Sequence, residues 1–383
     1  MYFTDYIGKN LIDGTWWNSG GDVKNTNPCD GSEIGTFPQT PSQQINEACE
    51  AARSASDDWR DLSRVNRAEY LFRVAKILER DLDQFATAIS LETGKSYNES
   101  IAEVNEALHM AQYAFGTGRM PHGEALSSEI PEKDAYMLRK PKGVVAIISP
   151  WNFPLAIGAF WCAAPALVEG NTVVIKPSED APLSTELAVK AYVEAGIPPG
   201  VLNLIHGDGE VGDELAKHPE VDHICFTGSA EVGQHIRRVC ADSWNKTCSC
   251  ELGSKSAVIV FDDANFDLAV SASIASAFKL SGQRCVSAGR LIVQRGIYDQ
   301  FCESFTKYAS QVVAGQPFDE QATEAKDSSN FFAFGEGKSS FVSPVANSLA
   351  YMGPLINKQQ LERVKRFNQL VIEDDMAEVL VAP

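Results

Sequence analysis

Basic charge is scarce in this 383-residue chain: 33 lysines and arginines stand against 51 aspartates and glutamates, a formal net charge of −18. No Lys/Arg run is longer than a dipeptide, so phosphate backbones and anionic lipid are repelled and no nucleic-acid partner is expected. Nine cysteines (Cys29, Cys49, Cys162, Cys225, Cys240, Cys248, Cys250, Cys285 and Cys302) form no C-x-x-C pair and no regular framework, which argues against a disulfide scaffold. Most read as small core hydrophobes. His206, His218, His223 and His235 follow no metal-ligand spacing and have no evident thiol partner, so no metal is expected. The opening MYFTDYIGKN has neither a basic n-region nor an apolar h-region, and the expected compartment is the reducing cytoplasm.

One uncharged run, GVVAIISPWNFPLAIGAFWCAAPALV from Gly143 to Val168, is long enough to cross a bilayer. Pro150, Asn152 and Pro154 interrupt it, and both flanks are polar, so it reads as a buried strand, a tight turn and a buried helix from about Leu155. No membrane association is expected.

Residues 42–118 carry apolar side chains at spacings of three and four and predict three amphipathic helices. From 143 onward the pattern changes. VVAII, TVVIK, VLNLI and HICFTG are short apolar strands, each followed by a helical stretch, which implies βαβ units and a parallel sheet. HGEALSSEIPEKDAYMLRKP between these blocks reads as a projecting hairpin. A second α/β lobe starts near Ser254 with SAVIVF, a helix over about 266–280, the strand RLIVQ and a helix near 297–313. Residues 315–352 show weak periodicity and read as an insertion.

Several sites stand at strand ends. GDGEVG, Gly207 to Gly212, matches G-x-G-x-x-G after a strand, but Asp208 and Glu210 would oppose a bound pyrophosphate. In HICFTGSAEVG, Gly228 permits a tight turn and Ser229 stands at a helix N-terminus, either as an anion site or as an ordinary N-cap. In TVVIKPSED, Lys176 leaves the carboxyl end of a strand with Glu179 one turn on. Together they either hold ribose hydroxyls, with Glu179 repelling a 2′-phosphate, or cap a helix in solvent. Cys285, in KLSGQRCVSAG, is a packing residue or a nucleophile. The second role needs a base, a dipole or a cation nearby. Arg284 adjoins it, and Glu251 in CSCELGSKS ends another strand where a catalytic carboxylate would stand. Arg284 either pairs with a substrate carboxylate, as a semialdehyde would carry, or braces the loop.

PWNFP, VIKPSE, FTGSAEVG, ELGSK and SGQRC, in this order, resemble the aldehyde dehydrogenase superfamily, over about residues 8–313 and again over GPLINKQQLERVKRF. The resemblance implies an α/β fold. Its parts are a Rossmann-like parallel-sheet NAD-binding domain (1–121 and 143–252), an oligomerisation hairpin (122–142) and an incomplete catalytic domain (253–383). It implies NAD(P)-dependent oxidation of an aldehyde to the acid, with Cys285 as nucleophile. The Asn152 amide and the Cys285 N–H would form the oxyanion hole, and Glu251 would be the general base. Lys176, Glu179, Ser229, Gly228, Trp151, Pro150, Gly233 and Leu252 would line the cofactor site, with NAD favoured over NADP, and Phe153 and Arg284 the aldehyde site. Family members usually continue well beyond Pro383, supplying an E-x-F-G-P turn and an oligomerisation arm. The partners implied are a small aldehyde and further copies in a dimer or tetramer. The alternative is a shortened, non-catalytic relative that binds nucleotide or joins a full-length subunit.

Overall fold

The computed structural model describes residues 3, 5–18, 21–318, 351–373 and 378–380. Most of the expected insertion lies outside them. Two compact units form: 1–25, 35–85 and 103–251 in the first, and 26–34, 86–102 and 252–383 in the second. Segments 26–34 and 86–102, grouped by sequence with the cofactor domain, thus belong to the second unit, and the hairpin belongs to the first.

The chain opens with β1 (Tyr6–Ile7), β2 (Asn10–Ile12), β3 (Thr15–Trp17), β4 (Gly21–Thr26) and β5 (Glu33–Gln39). Four helices follow, one more than periodicity predicts: α1 (Ser42–Asp61), α2 (Arg64–Arg80), α3 (Leu82–Thr93) and α4 (Tyr97–Thr117). The extra break is at Asp81, which leaves the helical region at φ −107°, ψ 24°; its side chain pairs with Arg80, which also meets Glu194. Ile45, Ala48, Cys49 and Ala52 of α1 are buried at helical spacing. Trp59 is buried too, and its indole N–H donates to the Leu167 carbonyl at 3.0 Å. Burying an aromatic this way contributes roughly 2–3 kcal/mol.

The hairpin β6 (Gly123–Leu126) and β7 (Ala135–Leu138) pairs antiparallel, with every side chain exposed. Then come β8 (Val144–Ile148), β9 (Thr172–Lys176), β10 (Leu202–Leu204), β11 (His223–Gly228) and β12 (Thr247–Leu252), separated by α5 (Ala163–Val168), α6 (Pro182–Glu194), α7 (Gly209–Lys217) and α8 (Ala230–Ala241). They build a seven-stranded sheet in the order β12-β11-β8-β9-β10-β2-β3. β11, β8, β9 and β10 run parallel, while β2 and β3 join antiparallel. Four parallel strands with helical crossovers bury β8, β9 and β10 almost throughout, which is why those strands read as apolar runs without alternation. The apolar run 143–168 folds as strand, turn and helix, and among the described residues no helix is long and apolar enough to cross a membrane.

In the second unit β13 (Ser256–Val260) and β14 (Ala288–Val293) pair parallel around α9 (Phe266–Phe278). α10 (Tyr298–Ala309) follows. Val260, Val270 and Phe301 form the core here, with Phe266 edge-on to Phe301. A short parallel pair, β15 (Val313–Ala314) with β16 (Tyr351–Met352), leads to the helix Lys358–Glu373.

Candidate active site

In the first unit the candidate residues collect at the carboxyl ends of parallel strands. After β8, the Ser149 N–H donates to the Lys176 carbonyl at 3.1 Å, and the chain turns through Pro150–Pro154. Trp151, Asn152 and Phe153 are half-buried there. Two groups absent from any sequence motif hold this turn. The buried Glu103 carboxylate accepts from the Leu155 and Ala156 N–H groups at 2.9 and 3.1 Å, and the Thr185 hydroxyl donates to the Pro154 carbonyl at 2.7 Å. A negative charge at the first free N–H groups of a helix is favourable both as a cap and against the dipole. The expected uniform helix instead begins as a π-helix, Ile157–Cys162, a rare wide turn that is frequent at functional sites. It brings Trp161 to stack on Phe153 with ring centroids 6.4 Å apart.

Lys176 ends β9 almost fully buried. Its ammonium donates to the Pro177 and Gly207 carbonyls, both at 2.7 Å, and lies 3.8 Å from the exposed Glu179 carboxylate. Burial pulls the ammonium below its ordinary range, against the opposing pull of Glu179 and Asp208. The Gly207–Gly212 loop is occupied by its own acid: Asp208 caps α7 by accepting from the Glu210 N–H at 2.9 Å and also accepts from the Gln39 amide. Gly212 packs against the Lys176 stem. At the end of β11, a Cβ on Gly228 would stand 2.5 Å from the Phe226 ring, so only glycine fits without moving that ring. Ser229 is the N-cap of α8, its hydroxyl accepting from the Val232 N–H at 3.2 Å, and Gly233 is buried one turn on. Glu251, near the end of β12, is exposed. On the neighbouring strand the His223 imidazole is tied to β12, with Nδ1 2.8 Å from the Thr247 hydroxyl and Nε2 3.3 Å from that of Ser249.

Cys285 belongs to the second unit, is exposed, and follows a strained turn. Leu280, Ser281 and Gly282 are all left-handed, at φ 49°, 54° and 74°, which costs each non-glycine residue roughly 1–2 kcal/mol. Local bonds hold this conformation. The Leu280 N–H donates to the Glu99 carboxylate at 3.1 Å, and the Ser281 hydroxyl donates to the Gly353 carbonyl at 2.5 Å. The Ile356 N–H donates to the Gln283 side-chain oxygen at 3.0 Å. Arg284 points its guanidinium at the Ala275 and Ser276 carbonyls, 3.2 Å each, at the end of α9, where a cation suits the exposed carbonyls and the dipole. That contact is a loop brace. Leu252 is half-buried at the start of this unit.

An aldehyde dehydrogenase family model matches residues 16–381. The chain belongs to this family. It is similar to betaine aldehyde dehydrogenase of Bacillus subtilis, 39% identical over 80% of this chain and 64% of that protein. It is also similar to succinate-semialdehyde dehydrogenase [NADP(+)] of Escherichia coli, 36% identical over 82% of this chain and 65% of the other. Among solved structures, betaine aldehyde dehydrogenase of Staphylococcus aureus, in complex with NAD+, superposes with a TM-score of 0.86 at 30% identity, over 97% of this chain and 70% of that one. The α/β fold of this aldehyde dehydrogenase chain is therefore that of its relatives, and it spans about two thirds of their length.

Proposed function

We propose that this chain carries out NAD(P)-dependent oxidation of a small aldehyde to its carboxylic acid, within a homo-oligomer. The observation that carries the reading is the loop before Cys285: three consecutive left-handed residues, held by Glu99, Gln283 and the Gly353 carbonyl, present an exposed thiol. Strain retained against its cost by surrounding bonds is a mark of a functional site.

The cofactor fits the first unit on its own geometry. The missing Cβ of Gly228, the Ser229 cap of α8 and the buried Lys176 beside Glu179 stand at the carboxyl ends of parallel strands, the edge where nucleotides bind. Pro150, Trp151 and Gly233 complete the proposed lining within this unit. When bound, the nicotinamide supplies the hydride acceptor. Cys285 adds its sulfur to the aldehyde carbon, and the oxygen gains negative charge that the Asn152 amide and the Cys285 N–H stabilise as donors. Loss of hydride leaves a thioester on Cys285. Glu251 takes a proton from water, whose oxygen attacks the thioester carbon, and the C–S bond breaks to release the acid. Phe153, stacked on Trp161, supplies an apolar wall. Glu179 favours NAD by repelling a 2′-phosphate. With Arg284 turned onto α9, a neutral aldehyde is as good a substrate as a carboxylated semialdehyde.

The test follows NADH formation by absorbance with a panel of small aldehydes, for the wild-type chain, Cys285→Ser and Glu251→Gln. Turnover lost in Cys285→Ser, and in Glu251→Gln a burst of NADH near one per site followed by a slow phase, supports the reading. No wild-type turnover with intact NAD binding by calorimetry sinks it and leaves a nucleotide-binding subunit.

A further inference from the structure

Lys176 is held by a carbonyl whose own position is set by residues remote in sequence. Two of the three protons of its buried ammonium go to the Pro177 and Gly207 carbonyls, at 2.7 Å each. Gly207 turns at φ 140°, and a Cβ there would stand 2.4 Å from the Val211 side chain, so the residue that aims this carbonyl has to be glycine. The residue before it, His206, is buried and gripped at three points. Its N–H donates to the Asn10 side-chain oxygen at 3.0 Å, its carbonyl accepts from the Thr40 hydroxyl at 2.5 Å, and its Nε2 lies 3.2 Å from the Glu186 carboxylate. The residue after it, Asp208, is joined to the Gln39 amide by two bonds, accepting at 2.9 Å and donating its N–H at 3.2 Å.

Glu186 is itself wholly buried and takes donors from two further elements. The Tyr6 hydroxyl of β1 donates at 2.7 Å, the Lys9 N–H at 3.0 Å, and the Lys190 ammonium of α6 stands 3.1 Å away. A buried carboxylate with this many partners is fixed in place, because a shift would leave a charge or a donor unpaired in a low-dielectric interior. Asn10, Thr40, Glu186 and His206 are all buried, so none can touch a ligand; their route to one at Lys176 is the peptide between His206 and Gly207. A lysine stem is flexible, and a carbonyl moved out of line loses its hydrogen bond. With the carbonyl held, the ammonium is ordered before a ligand arrives, which favours binding.

We propose that Glu186, Asn10 and Thr40 are positioning residues for dinucleotide binding: by clamping His206 they fix the Gly207 carbonyl and, through it, the ammonium of Lys176. The inference rests on the reading of Lys176 as a cofactor-binding residue. It adds that three buried side chains, from β2, the residue after β5, and α6, set the affinity for a dinucleotide without contacting it.

The test measures NAD binding to the full chain by titration calorimetry, alongside urea unfolding of the same samples. Glu186→Gln and Thr40→Val should each bind NAD about fivefold more weakly. A merely structural role would lower the urea midpoint and leave the Kd of the folded chain unchanged. Lys176→Met should also bind more weakly, and adding Thr40→Val to it should weaken binding little further, because the carbonyl then has no ammonium to hold. Thr40→Val keeps the shape of the side chain, so it carries the test if Glu186→Gln fails to fold. Wild-type affinity in Thr40→Val, with weaker binding in Lys176→Met, would overturn the inference and leave the cofactor reading standing. So would a loss from Thr40→Val that is undiminished in the Lys176→Met chain. Wild-type affinity in Lys176→Met itself, or no NAD binding by the wild-type chain, would refute the cofactor reading and this inference together.

Discussion

Glu99 accepts the backbone N–H of Leu280 at 3.1 Å, and Leu280 is the first of the left-handed residues that lead to Cys285. A carboxylate from another helix thus holds the turn open from five residues away. Replacing Glu99 with Ala removes an acceptor from a buried N–H, at a cost of about 1–3 kcal/mol. The expected result is a kcat about tenfold lower or more, with a smaller change in KM, and a changed rate of Cys285 alkylation by iodoacetamide. Glu99→Gln keeps an acceptor and should recover part of the loss. Unchanged kcat and unchanged alkylation in the Ala variant would show that the turn does not need this bond.

Glu103 does the corresponding work for the turn that carries Asn152. Glu103→Ala should leave the Leu155 and Ala156 N–H groups without their shared carboxylate and lower stability by about 2–4 kcal/mol, since both bonds are buried and charge-assisted. Urea unfolding monitored by tryptophan fluorescence would measure it. A loss under 1 kcal/mol would mean that water or a neighbour replaces the carboxylate without penalty.

The proposed function puts cofactor choice on Glu179: with a repelling charge removed, Glu179→Gln should raise the NADP-to-NAD ratio of kcat/KM by about tenfold, equivalent to roughly 1.4 kcal/mol. An unchanged ratio would move the discrimination elsewhere.

Acid sensitivity should centre on Glu186, which is wholly buried, 3.2 Å from His206 and 2.7 Å from the Tyr6 hydroxyl. Burial pushes this carboxyl up, but His206, with Lys190 and Tyr6 adding, outweighs it and holds the group below the ordinary glutamate range. A depressed native value means that the unfolded chain binds the proton first. The stability this group contributes is therefore present in full above the ordinary glutamate value near 4.5 and is lost as pH falls below it. Glu186→Gln should be less stable at pH 7 and should show a shallower fall in stability below pH 5. Parallel wild-type and variant curves of urea midpoint against pH would refute this assignment.

The strands were legible in the sequence because burial on both faces removes alternation, and the PWNFP turn was legible because its prolines forbid helix. The break at Asp81 was not, since neither glycine nor proline marks it and tertiary pairing with Arg80 and Glu194 sustains it. Glu99 and Glu103 look like two acidic residues on an amphipathic helix; their roles exist only through backbone N–H groups far along the chain. Arg284 illustrates the same gap. Adjacency to Cys285 left a substrate contact and a loop brace both open, and only the fold brings the guanidinium to the carbonyls of Ala275 and Ser276. Ser229 kept two readings in sequence; its hydroxyl caps α8, and the anion reading stays with the proposed cofactor site.

The ribbon β6–β7 contributes no buried side chain to its own unit, so the seven-stranded sheet draws no stability from it. A protease should find it first: trypsin cleaving after the exposed Lys133, at the tip between the two strands, should leave a nicked molecule that still unfolds cooperatively, its two fragments held together by the intact sheet.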